Sequence, residues 1–300
     1  MTTMSRTESK LAQAEGGGRI AVIAGGGALP VAVARTLQQR GDAPFVVIVS
    51  EETEDEDTFR DLDRIILSVE QIGLLLPALR KAGVDRLIMA GNVTRRPNLR
   101  RIKWTVPVVL ALPRLAAGLL RGDDGLLRAV IELLETNGIR VVGPHEIVPD
   151  LLAPAGILTR AGPTAQDKRD IAAASEAALA IGRLDIGQAA VAIGGRAVAL
   201  EDIEGTDGLL RRTADLRSHG RLAGKKRGVL VKRRKPLQEK RVDLPAIGPD
   251  TIVAAQAAGL AGVAVDAGNS FILDFDSTVA RADELGLFII GLEPGEDAQR

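Results

Sequence analysis

The sequence predicts an α/β protein: an N-terminal, mainly parallel sheet flanked by helices, then a C-terminal domain of mixed α/β character. Three observations lead there. Short apolar, β-branched segments alternate with helical periodicity through the first half, in four or five β-then-α units. In the second half, Gly194-Gly195 separates two strand-like segments and marks a hairpin. The composition, with 33 glycines and 46% hydrophobic residues, suits helices packed closely on sheets and can fill a large core.

Residues 19–24 read as a buried parallel strand, because they are too uniformly apolar for a half-exposed one. The strand stops at Gly25-Gly26-Gly27. Leu29, Val33 and Leu37, with Pro30 near the first turn, fit a helix just beyond. Residues 45–50, FVVIVS, form a second buried strand. The acidic run 51–63 reads as a solvated loop in preference to a metal site, since clustered like charges repel unless something neutralises them. A short strand at 65–69 and a helix at 74–81, closed by Gly83, follow. Residues 84–90, VDRLIMA, are the next strand and run into Gly91-Asn92-Val93-Thr94. Gly122-Asp123-Asp124-Gly125 begins a helix that reaches Asn137 and stops at Gly138. Residues 140–142 supply the last strand of this half.

The expected organisation is a polar leader at 1–18, a first domain at 19–149, a connection at 150–164 and a second domain at 165–300. The leader has no apolar stretch of the kind a signal peptide needs. The connection holds two prolines and two glycines between polar ends. The second domain opens on an alanine-rich helix, 167–182, with Ile171, Ala174, Ala178 and Ile181 on one face. The hairpin pairs 189–193 with 197–201. Further strands are expected at 228–231, 263–265, 270–273 and 287–290, and helices at 251–258 and 278–285.

Composition excludes several chemistries. The chain has no cysteine, hence no disulfide, thiolate metal site or cysteine nucleophile. Its two histidines, His145 and His219, are far apart, which leaves a hard cation held by carboxylates as the metal option. Thirty-nine basic and 39 acidic residues balance, and only 2% are aromatic, so nothing points to nucleic acid. Apolar runs are broken well short of a membrane span, and a cytoplasmic location is expected. Residues 97–113 mix basic and apolar side chains around Trp104; they read either as an amphipathic lip for anionic lipid or as a surface loop around a core Trp.

Chemistry-bearing residues collect at element ends. The loop Gly25-Gly26-Gly27-Ala28-Leu29 places backbone N–H groups and a helix N-terminus at the carboxyl edge of a sheet, where an anion is stabilised; its plainer reading is a tight βα turn. Pro30 occupies the place of the third glycine of a dinucleotide fingerprint, which counts against an NAD-dependent oxidoreductase. Asn92 lies at the same edge, either as a site residue or in a local turn. In the second half, hairpin geometry should bring Asp185 and Gln188 near Glu201, Glu204, Thr206 and Asp207. Lys232 and Lys235 offer point charges suited to phosphate. Asp243 follows a basic run, stays ionised beside cations, and suits binding Mg²⁺ or orienting water. Each could alone be a solvated loop or turn residue; together they point to an active cleft between the domains.

The succession IAGGGALPVAVA, AGNVTR, GDDGLLRAVIELLE, GRLDIGQAAV, EDIEGTDGLLRR, GVLVKRRKP and RVDLPAIGP resembles the LpxI-type UDP-2,3-diacylglucosamine pyrophosphatases of lipid A biosynthesis. The similarity runs from Arg19 to about Leu292. It implies hydrolysis of UDP-2,3-diacylglucosamine to UMP and 2,3-diacylglucosamine 1-phosphate (lipid X), with Mg²⁺ required. It also implies an N-terminal Rossmann-like domain, a distinct C-terminal domain, and lipid held between them. The family's essential aspartate maps to Asp243. On that footing Asp243 is expected to bind Mg²⁺ or orient water, with Glu204 and Asp207 assisting at the metal and Lys232 steadying the diphosphate. The 25–29 loop and Asn92 would hold a phosphate or the sugar, and Asp185, Gln188, Thr206 and Lys235 would make further substrate contacts. Arg233 and Arg234 carry no assigned function. Transient contact with the inner membrane and a homodimer are the expected associations. The rival from another class is a UDP-sugar or lipid-binding regulator, which would bind without releasing UMP.

Overall fold

The computed structural model describes residues 18–53, 56–93, 95, 123–222, 227–236, 241 and 244–293. The leader up to residue 17, the Trp104 segment and Asp243 lie outside the described residues. The chain forms two compact units, Met1–Ile147 and Val148–Arg300.

In the first unit, β1 (Arg19–Ala24), β2 (Phe45–Val49), β3 (Asp63–Leu67), β4 (Val84–Ala90) and β5 (Arg140–Val142) form one sheet in the order β3-β2-β1-β4-β5, every pair parallel. The connections include α1 (Leu29–Gln39), α2 (Leu75–Lys81) and α3 (Asp123–Thr136), with a one-turn α4 (Pro144–Ile147) after β5. The uniformly apolar strands are central because both faces are covered: Ala21, Val22, Ala24, Val46 and Ile48 are fully buried. β3 starts and ends two residues earlier than its apolar run predicts, because its register against β2 pairs Asp63 with Phe45 and Leu67 with Val49. Ser68 then leaves the sheet, its N–H held by Gln71 Oε1 at 3.0 Å. The strand order reverses at β1 and β4, so the loops after these two strands border the crevice where doubly wound sheets bind ligands.

In the second unit, β6 (Gly156–Ile157), β7 (Ala189–Ala192), β8 (Ala197–Leu200), β9 (Val229–Lys232), β11 (Gly262–Asp266) and β13 (Phe288–Leu292) form a sheet ordered β6-β13-β11-β9-β7-β8. β9, β11 and β13 are parallel, whereas β6, β7 and β8 join antiparallel. β10 (Ala246–Ile247) and β12 (Phe271–Ile272) make a separate parallel pair. The hairpin turns through Gly194 and Gly195 with φ of 68° and 77°, a conformation that costs other residues strain.

Strand alternation divides this core into two layers. Val191, Leu230, Val263, Val265 and Ile289 face a layer that includes Leu209 and Leu210 of α6 (Gly205–Leu216), Ile252 of α7 (Pro249–Ala257) and Ala282 of α8 (Phe275–Leu285). Ala190, Ala192, Val229, Val231 and Ala264 pack with Ile171, Ala174 and Ala178 of α5 (Ala165–Arg183). Residues 150–164, read from sequence as a connection, contribute β6 and a bridge between Leu152 and Phe271 to this unit.

Candidate active site

In the first unit, the two stretches singled out at the carboxyl edge meet. Gly26 and Asn92 form an isolated antiparallel bridge, with N–H···O distances of 2.8 Å from Gly26 to Asn92 and 3.1 Å in return. Glycine is required for the approach: a Cβ on Gly25 would lie 2.5 Å from Asn92 O, and one on Gly91 2.4 Å from Gly26 O. Gly27 has φ of 88° with open space around it. Helix α1 begins at Leu29 with Ala28 as its N-cap residue, and no side chain caps it. Gly27, Ala28 and Asn92 are exposed and Leu29 is buried, so the loop offers backbone outward and anchors its apolar side chain inward. Glu52 crosses beside it, its O 2.9 Å from a Cβ built on Gly26, while its Oε1 accepts the Arg95 N–H at 2.8 Å.

The second unit gathers polar groups at the carboxyl ends of β9 and β11. Register places Ala189, the first residue of β7, and Val265 of β11 on either side of Lys232, the last of β9. Lys232 is 6% exposed, and its Nζ donates to Ala246 O at 2.9 Å. Asp266, the last residue of β11, is 8% exposed. Its Oδ1 lies 2.5 Å from Arg233 Nε, and its Oδ2 accepts the Arg234 N–H at 2.8 Å. Burial pushes the Asp266 carboxyl above its ordinary pKa, against the opposing pull of Arg233 and Arg234.

The hairpin does bring Gln188 and Thr206 to one carboxylate. Glu201, 6% exposed, accepts the Gln188 N–H through Oε2 and the Thr206 hydroxyl through Oε1, both at 2.7 Å. Gly187 permits this, since a Cβ there would sit 2.5 Å from Glu201 O. Asp185 takes φ of 56°, a conformation rare for non-glycine residues, and its Oδ1 meets Lys235 Nζ at 2.7 Å. The Gln188 O accepts the Arg233 N–H at 2.9 Å, so Asp185, Gln188, Thr206, Lys232 and Lys235 belong to one bonded neighbourhood.

Glu204 and Asp207 stand differently. Glu204 is exposed and paired with Arg212, two turns along α6, and Asp207 is exposed in the first turn. Among the described residues no group of three or more carboxylate or imidazole ligands could hold a metal by itself. Asp243 lies outside the described residues, but the chain resumes at Leu244 and reaches the Lys232-bound carbonyl of Ala246. Magnesium commonly takes one or two protein carboxylates and completes its shell with substrate phosphate and water, so a set of fewer than three carboxylates suffices for it. Sequence reasoning missed Asp266; its place at the end of a buried strand at the ligand-binding edge was the available signal.

Sequence profiles described as the LpxI N-terminal domain and the LpxI C-terminal domain match residues 19–151 and 154–290. The chain is similar, at 40% identity over 281 residues, to the UDP-2,3-diacylglucosamine pyrophosphatase LpxI of Caulobacter vibrioides, over 93% of this chain and 99% of that protein. A solved structure described as the crystal structure of gox2253 aligns at 13% identity with a TM-score of 0.31, over 92% of this chain and 77% of that one, a likeness too low to bear on function.

Proposed function

This chain belongs to the LpxI family, and we propose that it hydrolyses the diphosphate of UDP-2,3-diacylglucosamine to UMP and 2,3-diacylglucosamine 1-phosphate, in a Mg²⁺-dependent reaction. The observation that carries this reading is the 40% identity to a pyrophosphatase of that name over nearly the whole of both proteins. Physical support comes from the donor set. Cleaving a phosphoric anhydride with water requires charge neutralised on phosphoryl oxygens and a positioned nucleophile, tasks for lysine, carboxylate and backbone N–H groups.

In this reading Asp243, with Asp207 or Glu204 as a second carboxylate, holds Mg²⁺, which when bound supplies charge neutralisation at the phosphoryl oxygens. Lys232 steadies the diphosphate as a buried point charge tied to Ala246 O. Lys235, Thr206 and Gln188 contribute contacts around it, on a framework held by Glu201 and Asp185. Beside the Gly26–Asn92 bridge, whose own N–H groups are paired, the exposed Gly27 and Ala28 at the start of α1 offer backbone to a phosphate or sugar, with Asn92 exposed at the same edge. The acyl chains of such a substrate would bring the protein to the inner-membrane surface; among the described residues no helix is long and apolar enough to cross a membrane.

The test is UMP release from UDP-2,3-diacylglucosamine, compared between wild-type protein, wild-type protein in EDTA and Asp243→Ala. Loss of turnover in both treated samples is expected. Turnover by Asp243→Ala at the wild-type rate removes Asp243 from the mechanism, and equal turnover in EDTA removes the metal.

A further inference from the structure

We propose that Asp266 is a positioning residue for this reaction: it sets the path of residues 233–235, so that Lys235 meets the diphosphate in one arrangement. The inference deepens the proposed function and rests on it. Asp266 holds two consecutive residues by different means, the Arg233 guanidinium through Oδ1 and the Arg234 backbone N–H through Oδ2. Neighbouring elements hold the residues on either side. The Arg233 N–H donates to Gln188 O, and Lys235 Nζ pairs with Asp185. With Lys232 fixed on Ala246, residues 232–235 are tied to three parts of the unit: Ala246, the 185–188 segment and Asp266.

Burial works against this carboxylate, since the folded protein holds its pKa above the ordinary value. A buried ion pair is weak as a source of stability, because desolvation offsets much of the attraction. What it supplies here is direction: a loop leaving β9 beside Lys232 has many paths, and two contacts from one short side chain select among them. An Asp at the carboxyl end of a central parallel strand is well placed for that, because the strand is buried and hydrogen-bonded to a neighbour on each side.

The test uses the full chain and UMP release from UDP-2,3-diacylglucosamine with Mg²⁺, alongside circular dichroism to establish folding. Asp266→Asn keeps an oxygen for the Arg234 N–H and loses the charge on Arg233; Asp266→Ala loses both. We expect graded losses in kcat/KM, about 3- to 10-fold for Asp266→Asn and about 30-fold or more for Asp266→Ala. In a Lys235→Ala background both losses should shrink to under about 3-fold, because the cation being positioned is gone. A merely structural role predicts losses of the same size in either background. The inference is overturned if both variants keep kcat/KM within about twofold of wild type, or if their effects add independently to that of Lys235→Ala. Should Asp266→Ala fail to fold, Asp266→Asn decides by the same criteria. Wild-type protein that releases no UMP removes the functional reading and this inference together, whereas an active wild type with unaffected variants removes only the inference.

Discussion

Lys232 donates its Nζ to the carbonyl of Ala246, 2.9 Å away, and thereby ties the end of β9 to the segment that follows Asp243 in the chain. A strand terminus and a distant loop are joined by one buried side chain. If that side chain also carries positive charge to the diphosphate, Lys232→Met should lower UMP release by about 100-fold or more while the protein stays folded. Steady-state kinetics on a variant with an unaltered far-ultraviolet spectrum checks this, and turnover within a few-fold of wild type would remove Lys232 from the site.

Glu201 links Gln188 to Thr206 through its two oxygens. Thr206→Val preserves shape but leaves one buried acceptor without its donor, and should cost about 1–3 kcal/mol. Thr206→Ser keeps the hydroxyl and should cost well under that. Urea midpoints of the two variants measure the difference, and equal midpoints would show that the hydroxyl bond adds nothing.

The two glycines at the first carboxyl edge should respond unequally to alanine. Gly27 has open space and φ of 88°, so Gly27→Ala pays chiefly for backbone conformation, about 1–2 kcal/mol. A Cβ on Gly25 would strike Asn92 O at 2.5 Å, so Gly25→Ala must also open the Gly26–Asn92 bridge. Thermal unfolding should rank Gly25→Ala as the less stable, and calorimetry with UMP should show the larger loss of affinity for it. The reverse order would contradict a fitted strand-end bridge.

Asp167 anchors α5 and is fully buried. Burial raises its pKa, but hydrogen bonds from Arg227 and Thr164 outweigh that and leave it below the ordinary value. The unfolded chain therefore binds this proton more tightly than the folded one. The stabilisation is complete above the ordinary aspartate pKa of about 3.9 and is lost as pH falls through the lowered folded value. Since the Arg227 side chain is 49% exposed, Arg227→Gln should cost about 1–2 kcal/mol at neutral pH, less than removing half of a fully buried pair. Urea titrations at neutral pH and near pH 3 should show the variant's deficit shrinking in acid. A deficit that is constant or grows there would contradict this sign.

The first sheet was legible because its central strands are short, largely apolar runs, with β1 and β4 ended by glycine and β2 by Ser50, and a parallel sheet buried on both faces demands such runs. The meeting of Gly25 with Asn92 followed from two such strands ending at one edge. The hairpin likewise foretold that Gln188 and Thr206 would approach Glu201. Helix α6 escaped notice because Gly205 and Gly208 break its first turns and its N-cap is Glu204 without a side-chain hydrogen bond, so neither propensity nor capping announces it. That helix explains why Glu204 turns toward Arg212: helical periodicity, absent from the hairpin reasoning, brings them to one face. β6 and β10 have two residues each, too short to carry a period. The Asp185–Lys235 and Asp266–Arg233 pairs join residues far apart in sequence, which only the sheet order brings together.

The proposed reaction is cleavage of the diphosphate of UDP-2,3-diacylglucosamine. Incubating the purified protein with that glycolipid and Mg²⁺, and quantifying both products by mass spectrometry, tests it most directly. UMP and 2,3-diacylglucosamine 1-phosphate are expected in equal amounts, over many turnovers per chain. Intact substrate recovered from a protein that binds it would rule out hydrolysis and identify a binding protein instead.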